Sequence, residues 1–146
     1  MEKLKTSKPT HQQYKQIEAI LNNYIYLKAR VKNIELDIEE QNIFYSLKAI
    51  KLNNLDGKIV LEQEKQQKIK LLKDNKRKLE IKLKRIDNIL STLTKKEYDL
   101  IQYRYFEGLT IKEIANIFFK SEQSIQEQRH NIILKKLVPL YASFIN

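Results

Sequence analysis

The chain has 146 residues, no cysteine, two histidines and a formal net charge of +10. The length suits one ordinary domain, or a small domain with an extension, and the lack of thiols excludes disulfides and thiolate metal sites. No apolar run approaches the roughly 18 residues of a membrane span, and the polar start MEKLKTSKPTH lacks a signal peptide's apolar core, so a soluble cytoplasmic protein is expected.

Two glycines and two prolines punctuate the chain: Pro9 ahead of the first periodic segment, Gly57 in the polar turn NNLDG, Gly108 near the C-terminal third, and Pro139 after the last helix. Period-two alternation is absent, so the expected fold is all-α. In the first segment Ile17, Ile20, Tyr24, Leu27, Val31, Ile34 and Ile38 recur at alternating steps of three and four, the spacing of a coiled-coil seam. Beyond Ile38 the apolar residues move to Ile43, Leu47 and Ile50, which predicts that the buried face rotates or the helix is interrupted there.

A second run, Ile69, Leu72, Lys76, Leu79, Leu83, Ile86, Leu90 and Leu93, keeps the same steps with Lys76 as its one polar member. A polar seam residue trades stability for register or partner choice. Neither stripe is stable alone in water, and the turn near residues 53–57 suggests an antiparallel hairpin of helices His11 to Leu52 and Lys58 to Leu93, about 60 and 54 Å long. A homodimer through the coiled coil is the competing arrangement. The expected division is a coiled-coil hairpin over 1–93 and a helix-turn-helix domain over 94–146.

That last region reads as three short helices with a start signal before each. A helix leaves its first N–H groups unpaired, and an N-cap hydroxyl answered by a Glu three residues on satisfies them reciprocally. Thr94 with Glu97 and Thr110 with Glu113 fit this pattern, whereas Ser121 is followed by Ser124 and has only the forward bond. Gly108 is placed to end the first helix in a left-handed conformation, and the second spans Ile111 to Phe118.

The stretch LTKKEYDLIQYRYFEGLTIKEIA resembles the start of region 4 of bacterial sigma factors, through Thr94, Glu97, Arg104, Tyr105, Gly108, Leu109, Thr110, Glu113, Ile114 and Ala115. Residues 21–40 and 78–97 are in addition similar to small phage and prophage regulators of the ArpU and RinA type. The resemblance implies a phage-type, DNA-binding transcriptional regulator, an activator of late genes acting with host RNA polymerase at double-stranded promoter DNA. A small-terminase-type packaging protein and a coiled-coil adaptor that does not bind DNA are the alternatives. Two departures stand out. Where the family has Gly, an aliphatic residue and Ser, this chain has Phe119, Lys120 and Ser121, so a longer or re-angled turn is expected. Arg129 falls on the face of Ile125, Ile132, Ile133 and Leu140, which requires an acidic partner or a register shift after it.

With the third helix in the major groove, Glu122, Gln123, Gln126, Glu127 and His130 face the bases. Gln bonds adenine bidentately and Glu accepts from a cytosine amino group. Lys112, Lys120 and Ser121 are candidates for phosphate contacts. Glu122 and Glu127 repel the backbone, and residues 91–146 carry only 8 Lys and Arg against 6 Asp and Glu, while 58–90 carry 11 against 5. The basic run on the second helix reads equally as a solvated face and as a surface for DNA or polymerase. Tyr98, Tyr103, Tyr105, Phe106 and Phe118 are read as core aromatics rather than base-stacking groups. His11 and His130 lack clustered ligands, phosphate loops and catalytic constellations are missing, and so no metal, cofactor or enzymatic activity is expected.

Overall fold

The structure is a computed structural model that describes residues 10–145, with side chains to Tyr141. Pro9 lies outside the described residues. The architecture is all-α: two long helices, α1 (His11–Ile50) and α2 (Leu55–Leu90), form an antiparallel hairpin that leads into a C-terminal helical module. The module comprises α3 (Lys95–Ile101), α4 (Ile111–Phe118), α5 (Glu122–Asn131) and α6 (Val138–Ile145). No described helix is long and apolar enough to cross a membrane.

Two compact units emerge. One is residues 26–84, the distal half of the hairpin; the other joins residues up to Ile25 with those from Arg85 onward. In the distal unit the partners across the hairpin descend on α2 as they ascend on α1. Lys76 Nζ lies 3.2 Å from Glu35, and Lys68 Nζ lies 5.6 Å from the Tyr45 ring centroid. Lys76 therefore belongs to the seam, half-buried and bound to a carboxylate of the opposite helix, where it pins the antiparallel register.

The expected rotation of the buried face after Ile38 does not occur. α1 is continuous, and its seam runs on through Gln41, Tyr45 and Ala49, leaving Ile43, Leu47 and Ile50 exposed. Continuing the step of three or four from Ile38 lands on Gln41 and Tyr45, so geometry outranks side-chain hydropathy here. Tyr45 is only 2 % exposed, and Gln41 Oε1 is buried without a hydrogen-bond partner among the described residues.

The hairpin turn is also shorter than expected, because α2 starts at Leu55 and takes Gly57 into its first turn. Asn54 is the N-cap: its Oδ1 accepts from the Gly57 amide at 2.5 Å. A Cβ on Gly57 would sit 2.6 Å from that oxygen, so glycine is used here for close approach of the cap. At its other end α2 stops at Leu90, three residues short of Leu93. The chain tightens there through Thr92 N to Ile89 O and Leu93 N to Leu90 O before Thr94 starts α3.

The third correction concerns Pro139, which lies inside a helix rather than after one. α5 passes into a π-helical stretch, Ile132–Leu137, and continues as α6, whose second residue is Pro139. An α-helical register would force the proline ring against the carbonyl four residues back. The widened turns ahead of it loosen that register, and so the helix carries on.

Candidate nucleic-acid interface

The module's core is built from the residues that the helical steps place inward. Leu100 and Ile101 on α3, Ile114 and Ala115 on α4, Ile125 on α5, and Ile133 and Leu137 beyond it are all buried, most of them fully. Both capping boxes form. The Thr94 hydroxyl accepts from Glu97 N and the Glu97 carboxylate from Thr94 N, and Thr110 and Glu113 repeat the arrangement. Ser121 Oγ accepts from Ser124 N at 3.1 Å, the forward bond alone.

α3 lengthens through a π-helical stretch, Gln102–Phe106, and then Gly108 turns the chain at φ 72°. The loop is held by two bonds. Leu109 N donates to Tyr103 O at 2.9 Å, and Arg104 Nη1 donates to Leu109 O at 3.0 Å. Arg104, Gly108, Thr110 and Glu113, four of the residues that carry the family resemblance, thus set the entry of α4.

Between α4 and α5 the expected lengthening of the turn does not occur. Phe119 itself takes the left-handed conformation, φ 56° and ψ 43°, and Lys120 N donates to Ala115 O at 3.0 Å. A glycine's backbone geometry is therefore kept by a residue with a Cβ, at a cost of about 1–2 kcal/mol. The Phe119 side chain gains no burial in return, being 96 % exposed.

This scaffold presents Lys112, Lys120, Ser121, Glu122, Gln123, Gln126, Glu127 and His130 at the surface, all exposed. Along α5, Glu122, Gln126 and His130 follow one another at steps of four, as do Gln123 and Glu127, whose side chains meet at 3.4 Å. Ser121 Oγ accepts the cap bond and retains a hydroxyl proton to donate.

Of the two options for Arg129, a change of helix register is present, beginning three residues after it at Ile132. Its Nη2 donates to Gln126 Oε1 at 2.6 Å, which fixes the orientation of Gln126 and leaves that amide's N–H groups free to donate. Nε is buried with no partner among the described residues. Together with Gln126, Glu127, His130 and Asn131, Arg129 lines a shallow open concavity of about 480 Å³ on this side of α5. Arg129 and Asn131 are additions to the residues expected from sequence. An arginine at a nominally core position, one turn past a groove-facing Gln, is the signal that points to the first; nothing in the sequence singles out the second.

The start of α1 packs against the last turn of this helix. The Tyr14 ring lies 5.2 Å from that of His130, and Tyr105 donates its hydroxyl proton to Glu18 at 2.6 Å. The Tyr24 ring stacks on Phe106 at 4.8 Å, and its hydroxyl bonds Asp87. Burial, then the bond to Glu18 and its charge, push the Tyr105 pKa well above the ordinary tyrosine value; burial and Asp87 do the same for Tyr24. On the opposite edge Lys136 Nζ meets Glu97 at 2.6 Å. Partial burial raises the Glu97 pKa, but the bonds from Lys136 and from Thr94 outweigh it and hold the carboxyl below its usual range.

The module's aromatics pack among themselves. Tyr105 is buried, Phe106 lies between Tyr24 and Tyr98, and Tyr103 meets Phe118 edge-on at 6.0 Å. Three short helices, two of them joined by a tight left-handed turn and the last offering an exposed polar face, are the parts of a helix-turn-helix.

Residues 89–137 match the family model of sigma-70, region 4. The matched stretch runs from the end of α2 to the end of the second π-helical segment, about a third of the chain. The sigma-70 region 4-like module is a helix-turn-helix of the kind that binds DNA in transcription, a binding module rather than a catalytic one. No curated protein and no solved structure matches the chain.

Proposed function

We propose that this chain is a phage-type transcriptional regulator of the ArpU and RinA kind, which activates late genes by binding promoter DNA together with RNA polymerase in the cytoplasm of a bacterial host. The observation that carries the reading is the exposed α5 face of a sigma-70 region 4-like module, where Glu122, Gln123, Gln126, Glu127 and His130 lie in series. In this reading residues 94–146 form the DNA-reading part and residues 1–93 the part that supplies reach and partner contacts.

Gln123 and Gln126 read base edges, while Lys112, Lys120 and Ser121 hold phosphates. Gln126 is oriented in advance by Arg129. Intrinsic affinity is low in this scheme, because Glu122 and Glu127 oppose the phosphates and the segment 91–146 has a net charge of only +2, from 8 basic against 6 acidic residues. Polymerase or the basic α2 supplies the remainder.

The test is a gel shift against host and phage promoter fragments, with and without polymerase. Gln123→Ala with Gln126→Ala is expected to flatten the preference among sequences and leave low-salt binding largely intact. Lys112→Gln with Lys120→Gln is expected to lower the slope of log K against log salt by about 2, one phosphate contact each. The phosphate assignment is falsified if that slope does not change. Loss of retention on every fragment even at low salt, by the unaltered protein, removes the DNA reading itself.

A further inference from the structure

We infer that the outer face of α1 docks a second copy of this chain, the two α1 helices meeting antiparallel about a two-fold axis near Phe44. The seam of α1 is already filled within the hairpin. Opposite it lies a second apolar stripe, Leu36, Ile43, Leu47 and Ile50, respectively 59, 61, 59 and 77 % exposed. At 100° per residue these four fall within about 60° of one another, roughly opposite the seam residues Ile34, Ile38, Gln41 and Tyr45.

Their steps of seven, four and three, and the narrowness of the stripe, are those of a coiled-coil contact, which needs another helix with the same spacing. A copy of this chain has one. With Phe44, 42 % exposed at the stripe's edge, five side chains offer roughly 100 Å² each. Two copies therefore bury about 1,000 Å² of apolar surface, enough for a specific small interface. Scattered exposed apolar residues are ordinary; an aligned row of this kind is not.

Charge selects the direction. In a parallel pair Glu40, which lies on the stripe between Leu36 and Ile43, stacks on its own copy. In an antiparallel pair with Leu47 over the second copy's Ile43, Phe44 meets Phe44, and Asp37 faces the second copy's Lys51 on both sides of the axis. Glu40 then lies opposite the second copy's Ile50, about 15 Å along the axis from its own copy. Asp37 and Lys51 are exposed, and neither is spent on an ion pair of the hairpin. A sequence reading assigns self-association to the seam; the structure moves it to the other side of α1. The inference stands without the promoter reading, since its test measures mass and cross-linking rather than DNA binding.

The experiment uses the full chain. Sedimentation at tens of micromolar is expected to give the mass of two chains. Ile43→Glu with Leu47→Glu is expected to give one-chain mass with an unchanged far-UV CD spectrum, because both residues face water and not the seam. Asp37→Lys is expected to weaken association about tenfold, and adding Lys51→Asp to restore it. The chain has no cysteine. A short bis-maleimide is therefore expected to link Phe44→Cys into a dimer and to leave Ile50→Cys unlinked, since the two copies of residue 50 lie on opposite sides of the axis. One-chain mass at 100 µM, a ring of many chains, a dimer indifferent to the double glutamate variant, or linkage at residue 50 but not at 44 each overturns the inference.

Discussion

At the scale of single residues, one side chain stands where a sequence rule advises against it. Phe119 occupies a left-handed position with its ring in water, so it bears the backbone cost without a packing gain. Phe119→Gly is expected to stabilise the chain by about 0.5–1 kcal/mol after the glycine's own entropy cost, seen as a melting temperature higher by a few degrees. A lower melting temperature would show that the ring is buried after all. Tyr105 makes the second test. Its hydroxyl bonds a carboxylate in partly buried surroundings, and a bond to a charged group contributes about 1.5–3 kcal/mol. Tyr105→Phe is expected to lower unfolding stability in urea by about that amount. The pH dependence follows from the direction of the shift. A tyrosine whose folded pKa is raised favours the protonated folded state, so its contribution is complete below the unfolded value near 10 and is lost as the pH climbs toward the folded one. Stability is expected to fall above pH 10, and Tyr105→Phe to make that fall shallower, measured as urea midpoints between pH 8 and 11.

At the scale of elements, the starts of the helices that begin with a hydroxyl cap were legible. Thr94, Thr110 and Ser121 start α3, α4 and α5, and α4 spans the residues that its cap and periodicity indicate, because capping is local chemistry among residues three apart. The π-helical stretches were not legible. The second, Ile132–Leu137, lies between Arg129 and Pro139 and is a change of register that no three- or four-residue spacing expresses. The distal seam was missed for another reason: hydropathy favours Ile43, Leu47 and Ile50 over Gln41 and Tyr45, but the partner helix lies on the side that Ile38 had already set. That choice leaves Gln41 with its side-chain oxygen buried and unpaired. Gln41→Leu is therefore expected to stabilise the hairpin by about 1 kcal/mol, by removing a desolvated acceptor and adding apolar contact. Chemical denaturation measures it, and a loss of stability would mean that the amide is hydrated.

At the scale of the molecule, the exposed residues of α5 were legible because a helix's exposed side follows from its buried one, whereas their support was not, because it comes from residues more than eighty positions earlier. Tyr14 against His130, Glu18 with Tyr105 and Tyr24 against Phe106 place the first turns of α1 in the same compact unit as the C-terminal helices. The span that matches sigma-70 region 4 begins at Ile89 and contains none of those three α1 residues. A fragment of residues 89–146 consequently exposes Tyr105 and Phe106 on one side and frees His130 and Arg129 on another. Each large side chain returned to water costs about 1.5–3 kcal/mol, which together approaches the whole stability of a small domain. The fragment is thus expected to melt without a cooperative transition, while the full chain melts cooperatively. Calorimetry of the two, with near-UV CD of the tyrosines as a second probe, checks this. A cooperative melt of the fragment at the temperature of the full chain would instead mean that α1 adds only reach. In the proposed DNA reading the same packing has a consequence: substitutions at Tyr14 or Tyr24 are expected to weaken binding by loosening the support of α5, in contrast to Gln123→Ala, which is expected to alter preference and leave the fold intact.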